Sequence, residues 1–185
     1  MSATSDTGLT RADLDDFPDD GLRRELIDGR LYVSPRARRR HQEVMVYLAW
    51  ALLNYERAHG GMAIVDFNND YSPTTHLEPD GAFVLAEHAY RLTEMGVEGP
   101  PDVVVEISSP STRGHDLVRK RAVYEREGVP EFWFLDLDRD QVLVFRLMDG
   151  TYAEPRVVGR GETLTSEVLP GFAAPVDDLL LVPSA

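Results

Sequence analysis

The sequence predicts an α/β protein of a single domain, in which a mixed β-sheet is flanked by helices. Three features indicate this class: a helical pattern over residues 38–59, an apolar run at residues 102–107, and a strand–helix–strand crossover over residues 102–136. The crossover predicts a parallel pair of strands, and hairpin signals elsewhere predict antiparallel pairs.

Length and composition are those of an ordinary globular protein. The 185 residues suffice for one sizeable core, and 43% of them are hydrophobic and 28% charged. We expect a flexible N-terminus at residues 1–9 and one domain at residues 10–182. The chain has no cysteine, which excludes disulfides and thiolate metal sites and fits a reducing cytoplasm. We expect neither a signal peptide nor a membrane span.

The charge balance argues against tight non-specific binding of nucleic acid, because the net charge is −13. One cluster of basic residues is an exception to the acidic composition: Arg36, Arg38, Arg39, Arg40 and His41. The arginines could bind phosphates or form a solvated charge run, and the two interpretations are equally supported. For His41, an exposed position at a helix start is favoured over binding of phosphate or water.

The first half of the chain predicts a short helix, a hairpin and a long helix. A capping box at Thr10 opens the short helix, and Asp28-Gly29 between two alternately apolar runs predicts the hairpin. The long helix ends at Gly60-Gly61. Its core stripe is expected to consist of apolar residues at helical spacing: Val44, Tyr47, Leu48, Ala51, Leu52 and Tyr55.

The second half predicts several strands and a second helix. Strands are expected at residues 63–67 and 81–85, with a polar loop around Pro73 between them and a further loop over residues 87–99. The run at residues 102–107 contains three consecutive valines, which predicts a central strand covered on both faces. The remaining elements are a turn at residues 108–112, a helix at residues 115–127, and strands at residues 131–136, 142–147 and 152–158.

Two acidic residues lie where strands of the predicted sheet begin or end. Glu106 is at the carboxyl end of the central strand, where open α/β sheets bind ligands, and a carboxylate there is costly unless it is paired or bound to metal. The alternative is a Glu106 that reaches solvent. Asp80 precedes another strand, and if the strands are neighbours both carboxylates face one pocket suited to Mg²⁺. Taken alone, Asp80 fits an ordinary turn better.

Lys120 lies on the helix that follows the central strand. Asp116, Lys120 and Tyr124 are spaced by four and share one helical face. A lysine that faces the two acids could stabilise charge in a phosphorane-like transition state or orient a water molecule. From spacing alone, a surface Asp–Lys pair is the better interpretation.

Four segments of the chain carry a resemblance to a known family. They are RRELIDGRLYVSP, EPDGAFV, PDVVVEISSPSTRGHDLVRKRAVYEREGVPEFWFLDL and LPGF. In this order they resemble the Uma-type restriction endonuclease family, which belongs to the PD-(D/E)XK nuclease superfamily. The match runs from about residue 10 to about residue 180, and the block at residues 101–136 is its most specific part.

The resemblance implies a restriction-endonuclease-like core and metal-dependent hydrolysis of phosphodiester bonds, with DNA as the expected substrate. Asp80 matches the aspartate of the superfamily's PD element, and Glu106 matches the acid of its (D/E)XK element. The residue two after Glu106 is Ser108 instead of lysine. Lys120 matches a lysine that Uma-type members have on the following helix. Glu25 matches a further acidic position, although it could equally be a hairpin charge.

These matches define a site hypothesis. Asp80, Glu106, Lys120 and Glu25 are the expected catalytic residues, and Asp80, Glu106 and the carbonyl of Ile107 are the expected ligands of Mg²⁺, or of Mn²⁺. A homodimer is expected from the superfamily analogy, since a two-fold symmetric enzyme suits cleavage of two strands.

Two alternatives remain open. The acidity of the chain and Ser108 favour an inactive binding or regulatory module on the same fold. Paired carboxylates could also serve another hydrolase, such as one acting on glycosides, but no sequence feature points to sugar. Trp50 and Trp133 have the spacing of core or interface aromatics rather than of base-stacking platforms.

Overall fold

The computed structural model describes most of the chain. The described segments are residues 2–3, 8–35, 38–108 and 113–180. Four features of the sequence analysis lie wholly or partly outside them: residues 1 and 4–7 of the predicted flexible N-terminus, Arg36 of the basic cluster, residues 109–112 of the predicted turn, and residues 181–182 at the end of the predicted domain.

Runs of short strands separate the helices along the chain. The helices are α1 (Arg39–His59), α2 (Arg121–Arg126) and α3 (Val176–Leu180). The chain also forms 3-10 helices at Arg11–Asp16 and Ala86–Arg91, and a π-helical segment at His115–Lys120 that runs directly into α2. The strands are β1 (Ser2–Ala3), β2 (Arg23–Ile27), β3 (Arg30–Ser34), β4 (Met62–Val65), β5 (Asn68–Ser72), β6 (Thr75–Leu77), β7 (Gly81–Val84), β8 (Gly96–Glu98), β9 (Val103–Ile107), β10 (Glu131–Asp136), β11 (Gln141–Met148), β12 (Thr151–Tyr152), β13 (Arg156–Gly159), β14 (Thr163–Thr165) and β15 (Ala173–Pro175).

The central sheet contains the strands that the sequence places in the middle of the fold. Its order is β12-β11-β10-β9-β7-β4, and β13 also pairs with β11. β9 and β10 are parallel, as the predicted crossover requires, whereas β7 pairs with β9 and β11 pairs with β10 in antiparallel fashion. The sheet is therefore mixed, and the predicted α/β class is confirmed.

The central sheet separates two apolar clusters, because successive residues of a strand point to opposite faces. On one face, Val105 of β9 and Trp133 of β10 pack with α1 and α3. On the other face, Val104 packs with Tyr124 of α2. Glu106 follows Val104 at a spacing of two, so its side chain lies on the face that α2 covers.

A second sheet, in the order β1-β3-β2-β6-β5-β8, contains the predicted hairpin. Asp28 and Gly29 have φ angles of 52° and 74°, which are the left-handed values of a tight hairpin turn. The hairpin brings β2 beside β6, so the second sheet can place side chains of β2 near the central sheet.

The loops predicted around Pro73 and over residues 87–99 are in part wrong. The first segment forms β5 and β6, and the second contains β8. Their sequences are polar, and it is pairing with distant strands that makes them extended. The Asn69 side chain secures this edge by donating to the carbonyl oxygens of Val97 and Gly99, at 3.1 and 2.8 Å.

Two other predictions need correction. Tyr47, expected in the core stripe of α1, is 43% exposed, whereas four members of the stripe are buried: Val44, Leu48, Leu52 and Tyr55. The strand predicted at residues 152–158 is divided into β12 and β13, because Pro155 between them has no N–H to donate to a sheet. Within the described residues, no helix has the length and apolarity needed to cross a membrane.

Candidate active site

The pairing of β7 with β9 brings two predicted site residues together. Gly81 lies opposite Val105 in this antiparallel pair, so one further step along the register places Asp80 opposite Glu106. Directly opposed residues share a face, with Cβ atoms about 5 Å apart. The Ile107 backbone N–H donates a hydrogen bond of 2.7 Å to Asp80 Oδ2. Both carboxylates are buried at the carboxyl end of β9.

Two basic side chains hold the Asp80 carboxylate. Arg23 of β2 donates to Oδ1 at 2.9 Å, and His41 Nε2, near the start of α1, lies 3.0 Å from Oδ2. Burial opposes ionisation of Asp80, but the His41 hydrogen bond and the charge of Arg23 outweigh it and lower its pKa. Asp80 is therefore a carboxylate at neutral pH.

The crossover helix supplies a cation to the same place. Lys120 Nζ lies 2.6 Å from Glu106 Oε1, and the Tyr124 hydroxyl donates to the same oxygen. Lys120 and Tyr124 are four residues apart and thus lie on one side of the helix. Glu106 therefore receives its cation from the helix that follows β9.

Glu25 on β2 binds the same ammonium from another side. Lys120 Nζ lies 2.8 Å from Glu25 Oε1, and His115 Nε2 lies 3.2 Å from Oε2. The Glu78 backbone N–H also donates to Oε1, at 2.9 Å. Burial opposes ionisation of Glu25, but Lys120 and His115 outweigh it and lower its pKa to about 2. Glu25 is thus a buried member of the cluster and not an exposed hairpin charge.

Lys120 is unusual within this chain. It is the only lysine among 19 lysines and arginines, and it is 2% exposed. Burial opposes the charged form of the amine, but Glu106 and Glu25 outweigh burial and raise the pKa of Lys120, so the ammonium stays charged at neutral pH. A compact ammonium can lie between two carboxylates as a point charge, which the planar fork of arginine does less readily.

Acidic groups dominate the surroundings of Glu106. Burial raises the pKa of this carboxyl group, and Lys120 lowers it. Asp116, Asp80 and Glu25 raise it further, and the net result lies well above the ordinary value. Because the carboxylates repel one another, an additional cation would stabilise the site.

The chemistry of the donors fits a hard divalent cation. Asp80 and Glu106 offer carboxylate oxygens from opposed positions on adjacent strands, and carboxylate oxygen is a ligand type that Mg²⁺ prefers. Across the described segments, no three His, Cys, Asp or Glu side chains are grouped so as to hold a metal ion. Two carboxylates are a sufficient protein contribution for Mg²⁺, which usually keeps several waters.

Ser108 occupies the position two after Glu106. It is buried, and its hydroxyl accepts a hydrogen bond of 2.8 Å from the Leu137 backbone N–H. Ser108 therefore ties the end of β9 to the residue that follows β10, and the cation at Glu106 is that of Lys120.

Several residues that hold the site escape the sequence analysis. His41, interpreted as exposed, is 5% exposed and bound to Asp80, so that interpretation is wrong. Arg23 and His115 carry no sequence signal, because their partners lie far away along the chain. Tyr124 does carry one, since it shares a helical face with Lys120.

The basic cluster divides between structural and exposed residues. Arg40 donates to the Leu137 carbonyl oxygen at 2.6 Å and to Asp140, so it holds the turn between β10 and β11 against α1. Arg38 and Arg39 are exposed, so both remain candidates for phosphate binding.

Comparisons with known proteins identify the family of this chain and a solved structure with a similar fold. The Uma2 family, described as "Putative restriction endonuclease", matches residues 11–177. A crystal structure from Anabaena variabilis, titled as a putative nuclease belonging to DUF820, is similar with a TM-score of 0.77 and 16% identity, covering 94% of this chain and 98% of that one. At this identity the likeness concerns the fold alone, and no curated protein matches the chain. Because the family match spans most of the sequence, the chain belongs to the Uma2 family of restriction-endonuclease-like proteins.

Proposed function

We propose that this protein is a divalent-metal-dependent endonuclease that hydrolyses phosphodiester bonds, with DNA as its substrate. Membership of the family supports nuclease-like chemistry in general. One observation carries the finer proposal: the Lys120 ammonium lies 2.6 Å from Glu106 and 2.8 Å from Glu25. A fixed cation beside paired acids can stabilise the charge that develops on a phosphate under attack.

The metal ligands in this proposal are Asp80, Glu106 and the backbone carbonyl of Ile107. When bound, Mg²⁺ or Mn²⁺ would supply Lewis acidity toward the phosphate and lower the pKa of water. Arg23 and His41 keep Asp80 ionised and oriented for this role.

Lys120 and Glu25 have the remaining roles. Lys120 stabilises the developing negative charge or positions the attacking water. Glu25 positions Lys120, and His115 holds the other oxygen of Glu25. Because two carboxylates already orient the ammonium, little reorganisation is needed when charge develops.

We also propose that the active form is a homodimer, since cleavage of both strands of a duplex suits a two-fold symmetric enzyme. The net charge of −13 favours substrate contact through a small local patch. The exposed Arg38 and Arg39 are candidates for such phosphate contacts.

A plasmid-nicking assay tests the proposed activity. Supercoiled plasmid is incubated with Mn²⁺ and wild-type protein, Glu106→Ala or Lys120→Ala, with and without excess chelator. We expect the wild type to produce open circles, and each variant to lose about 10²–10³-fold in rate, as when one group that stabilises a transition state is removed. Chelator should abolish the activity.

Asp102→Asn is the matched control. Asp102 is buried directly before β9 and bonds to His88 and to the Leu85 backbone N–H, so this variant loses a buried charge at the opposite end of the strand from Glu106. It should nick as the wild type does. Equal nicking by every preparation would point to contamination and reject the site. Metal binding without any nicking would favour the inactive binding module.

A further inference from the structure

Helix α1 has a second apolar face in addition to the one that packs on the central sheet. Four of its large side chains are exposed: Val46 at 66%, Tyr47 at 43%, Trp50 at 65% and Leu53 at 38%. Trp50 is two residues, or about 200°, from both Leu48 and Leu52 of the buried stripe, so this exposed stripe lies on the opposite side of the helix. Contiguous apolar side chains on a surface helix are typical of an interaction site.

The exposed stripe is symmetric about Trp50. Tyr47 and Leu53 lie three residues to either side of it, and Glu43 and Arg57 lie seven residues to either side. Seven residues are about two helical turns, so all five positions face the same way. The stripe therefore has an apolar centre and a base at its C-terminal end. At its N-terminal end it has an acid, Glu43, which also pairs with Arg39 of the same helix at 3.1 Å.

This pattern is complementary to itself in one arrangement. When two copies of α1 pack antiparallel about a two-fold axis at Trp50, each Glu43 faces the partner's Arg57, and each Tyr47 faces the partner's Leu53. A parallel arrangement would instead oppose Glu43 to the same residue of the partner. A two-fold axis makes the contact isologous, so the favourable charge pair occurs twice.

We infer that two copies of this chain associate through α1, packed antiparallel about a two-fold axis at Trp50. This inference deepens the proposed function. It rests on that proposal in one respect, which is that the partner is a second copy of the chain. Tryptophan, tyrosine and arginine are the residues that contribute most often to the centre of protein interfaces, and the stripe contains one of each.

A groove beside the stripe offers room for a partner side chain. It lies between α1 and α3, has a volume of about 180 Å³, and is lined in part by Trp50, Asn54, Pro175 and Leu179. A side chain of the second copy can enter this groove, so the surface offers a concave site in addition to its apolar side chains.

The same helix connects the interface to the site. His41, which bonds to Asp80, is nine residues from Trp50, or about 14 Å along the helix axis. Antiparallel packing therefore places the two sites on opposite sides of the two-fold axis, about 27 Å apart along the helix direction.

Sedimentation velocity over a range of protein concentrations tests the interface. We expect a wild-type dimer and a Trp50→Glu monomer that keeps the far-UV circular dichroism of the wild type, because Trp50 is 65% exposed and outside the core. Val118→Glu, at a position 63% exposed on the crossover helix, is the matched control and should remain dimeric. A monomeric wild type, or a dimer that survives Trp50→Glu, would overturn the inference.

A charge exchange tests the antiparallel arrangement. Glu43→Arg and Arg57→Glu should each weaken dimerisation by about tenfold or more, because each opposes like charges at two places. The double variant should recover the wild-type dissociation constant, and failure to recover it would reject this arrangement. Dimerisation through α1 without plasmid nicking would reject the proposed nuclease activity and leave the interface standing. Nicking by a monomer would reject the interface and the homodimeric active form, and leave the nuclease activity standing.

Discussion

At the residue scale, one ammonium compensates two buried carboxylates. Lys120 lies within 2.8 Å of Glu25 and within 2.6 Å of Glu106, and Tyr124 adds a hydrogen bond to Glu106. Such clusters contribute little net stability relative to an apolar core, but removal of one partner leaves charge buried without compensation. Lys120 is therefore expected to matter for folding as well as for catalysis.

Lys120→Met should lower the free energy of unfolding by about 3–5 kcal/mol at pH 7, because it removes the cation and keeps the bulk of the side chain. Lys120 lowers the pKa of Glu106, so its loss should raise that pKa further. A carboxyl group with a raised pKa favours the fold when protonated, and this contribution is lost as the pH rises through the folded-state pKa. The deficit of the variant should thus shrink from pH 7 to pH 5 in urea unfolding.

Arg126→Met is the control for this experiment. Arg126 is an exposed cation on α2 that pairs with Asp28 and Glu127, so its loss should change stability by less than about 0.5 kcal/mol. A Lys120→Met deficit that is the same at both pH values would contradict the explanation from buried charge.

At the scale of elements, the second sheet reaches the site through β2. This strand provides both Arg23 and Glu25, and it is held by β3 on one side and β6 on the other. β6 in turn pairs with β5, and β5 pairs with β8 at the edge. The polar segments that look like loops in the sequence thus support two side chains of the site.

The edge of this sheet depends on close approach at Gly96. A Cβ atom at this position would overlap the Asn68 carbonyl oxygen. The φ angle of Gly96 is 151°, which residues with a side chain rarely adopt. Gly96→Ala should therefore reduce stability by about 3 kcal/mol or more in urea unfolding, because β8 must separate from β5. Gly99→Ala is the comparison: φ is 81° there and no atom lies within 4 Å, so backbone strain alone should cost about 1–2 kcal/mol. Equal effects would show that β8 relaxes without loss.

At the scale of the whole molecule, the site joins the central sheet, the second sheet, α1 and the helical segment after β9 that carries Lys120. Arg23 and Glu25 come from the second sheet, His41 from α1, and Glu106 from the central sheet. A bound cation would connect these parts in the folded state and would be lost on unfolding, so binding should be visible as global stability.

Mn²⁺ or Ca²⁺ should therefore raise the melting temperature. At a metal concentration of about 100 times the Kd, linkage adds about 2.7 kcal/mol. For a domain of this size each kcal/mol is worth about 2–4 °C. Differential scanning fluorimetry should show this gain in the wild type and in Asp102→Asn, but not in Glu106→Ala. A wild type that metal does not stabilise would reject the metal site.

Much of the fold follows from local patterns in the sequence. The three valines before Glu106 and the helical spacing after residue 115 predict the parallel crossover, and Asp28-Gly29 predicts the hairpin. These elements depend on neighbours in the chain, on turn geometry and on periodicity, all of which can be read directly. Asp80 and Glu106 are predictable as a pair because the sequence pattern predicts both of the adjacent strands, β7 and β9, beside which these acids lie.

The sequence by itself therefore determined the elements of the central sheet and the acids at its edge. It also contains one lysine, Lys120, which the family resemblance places in the same site as these acids. Only the tertiary structure decided which side chains hold these groups, that His41 is buried, that a polar segment pairs as β5 and β6, and that Trp50 faces outward. The physical reason is that burial, ion pairing and strand pairing are contacts between residues far apart in the chain. No local pattern specifies such contacts until the chain has folded.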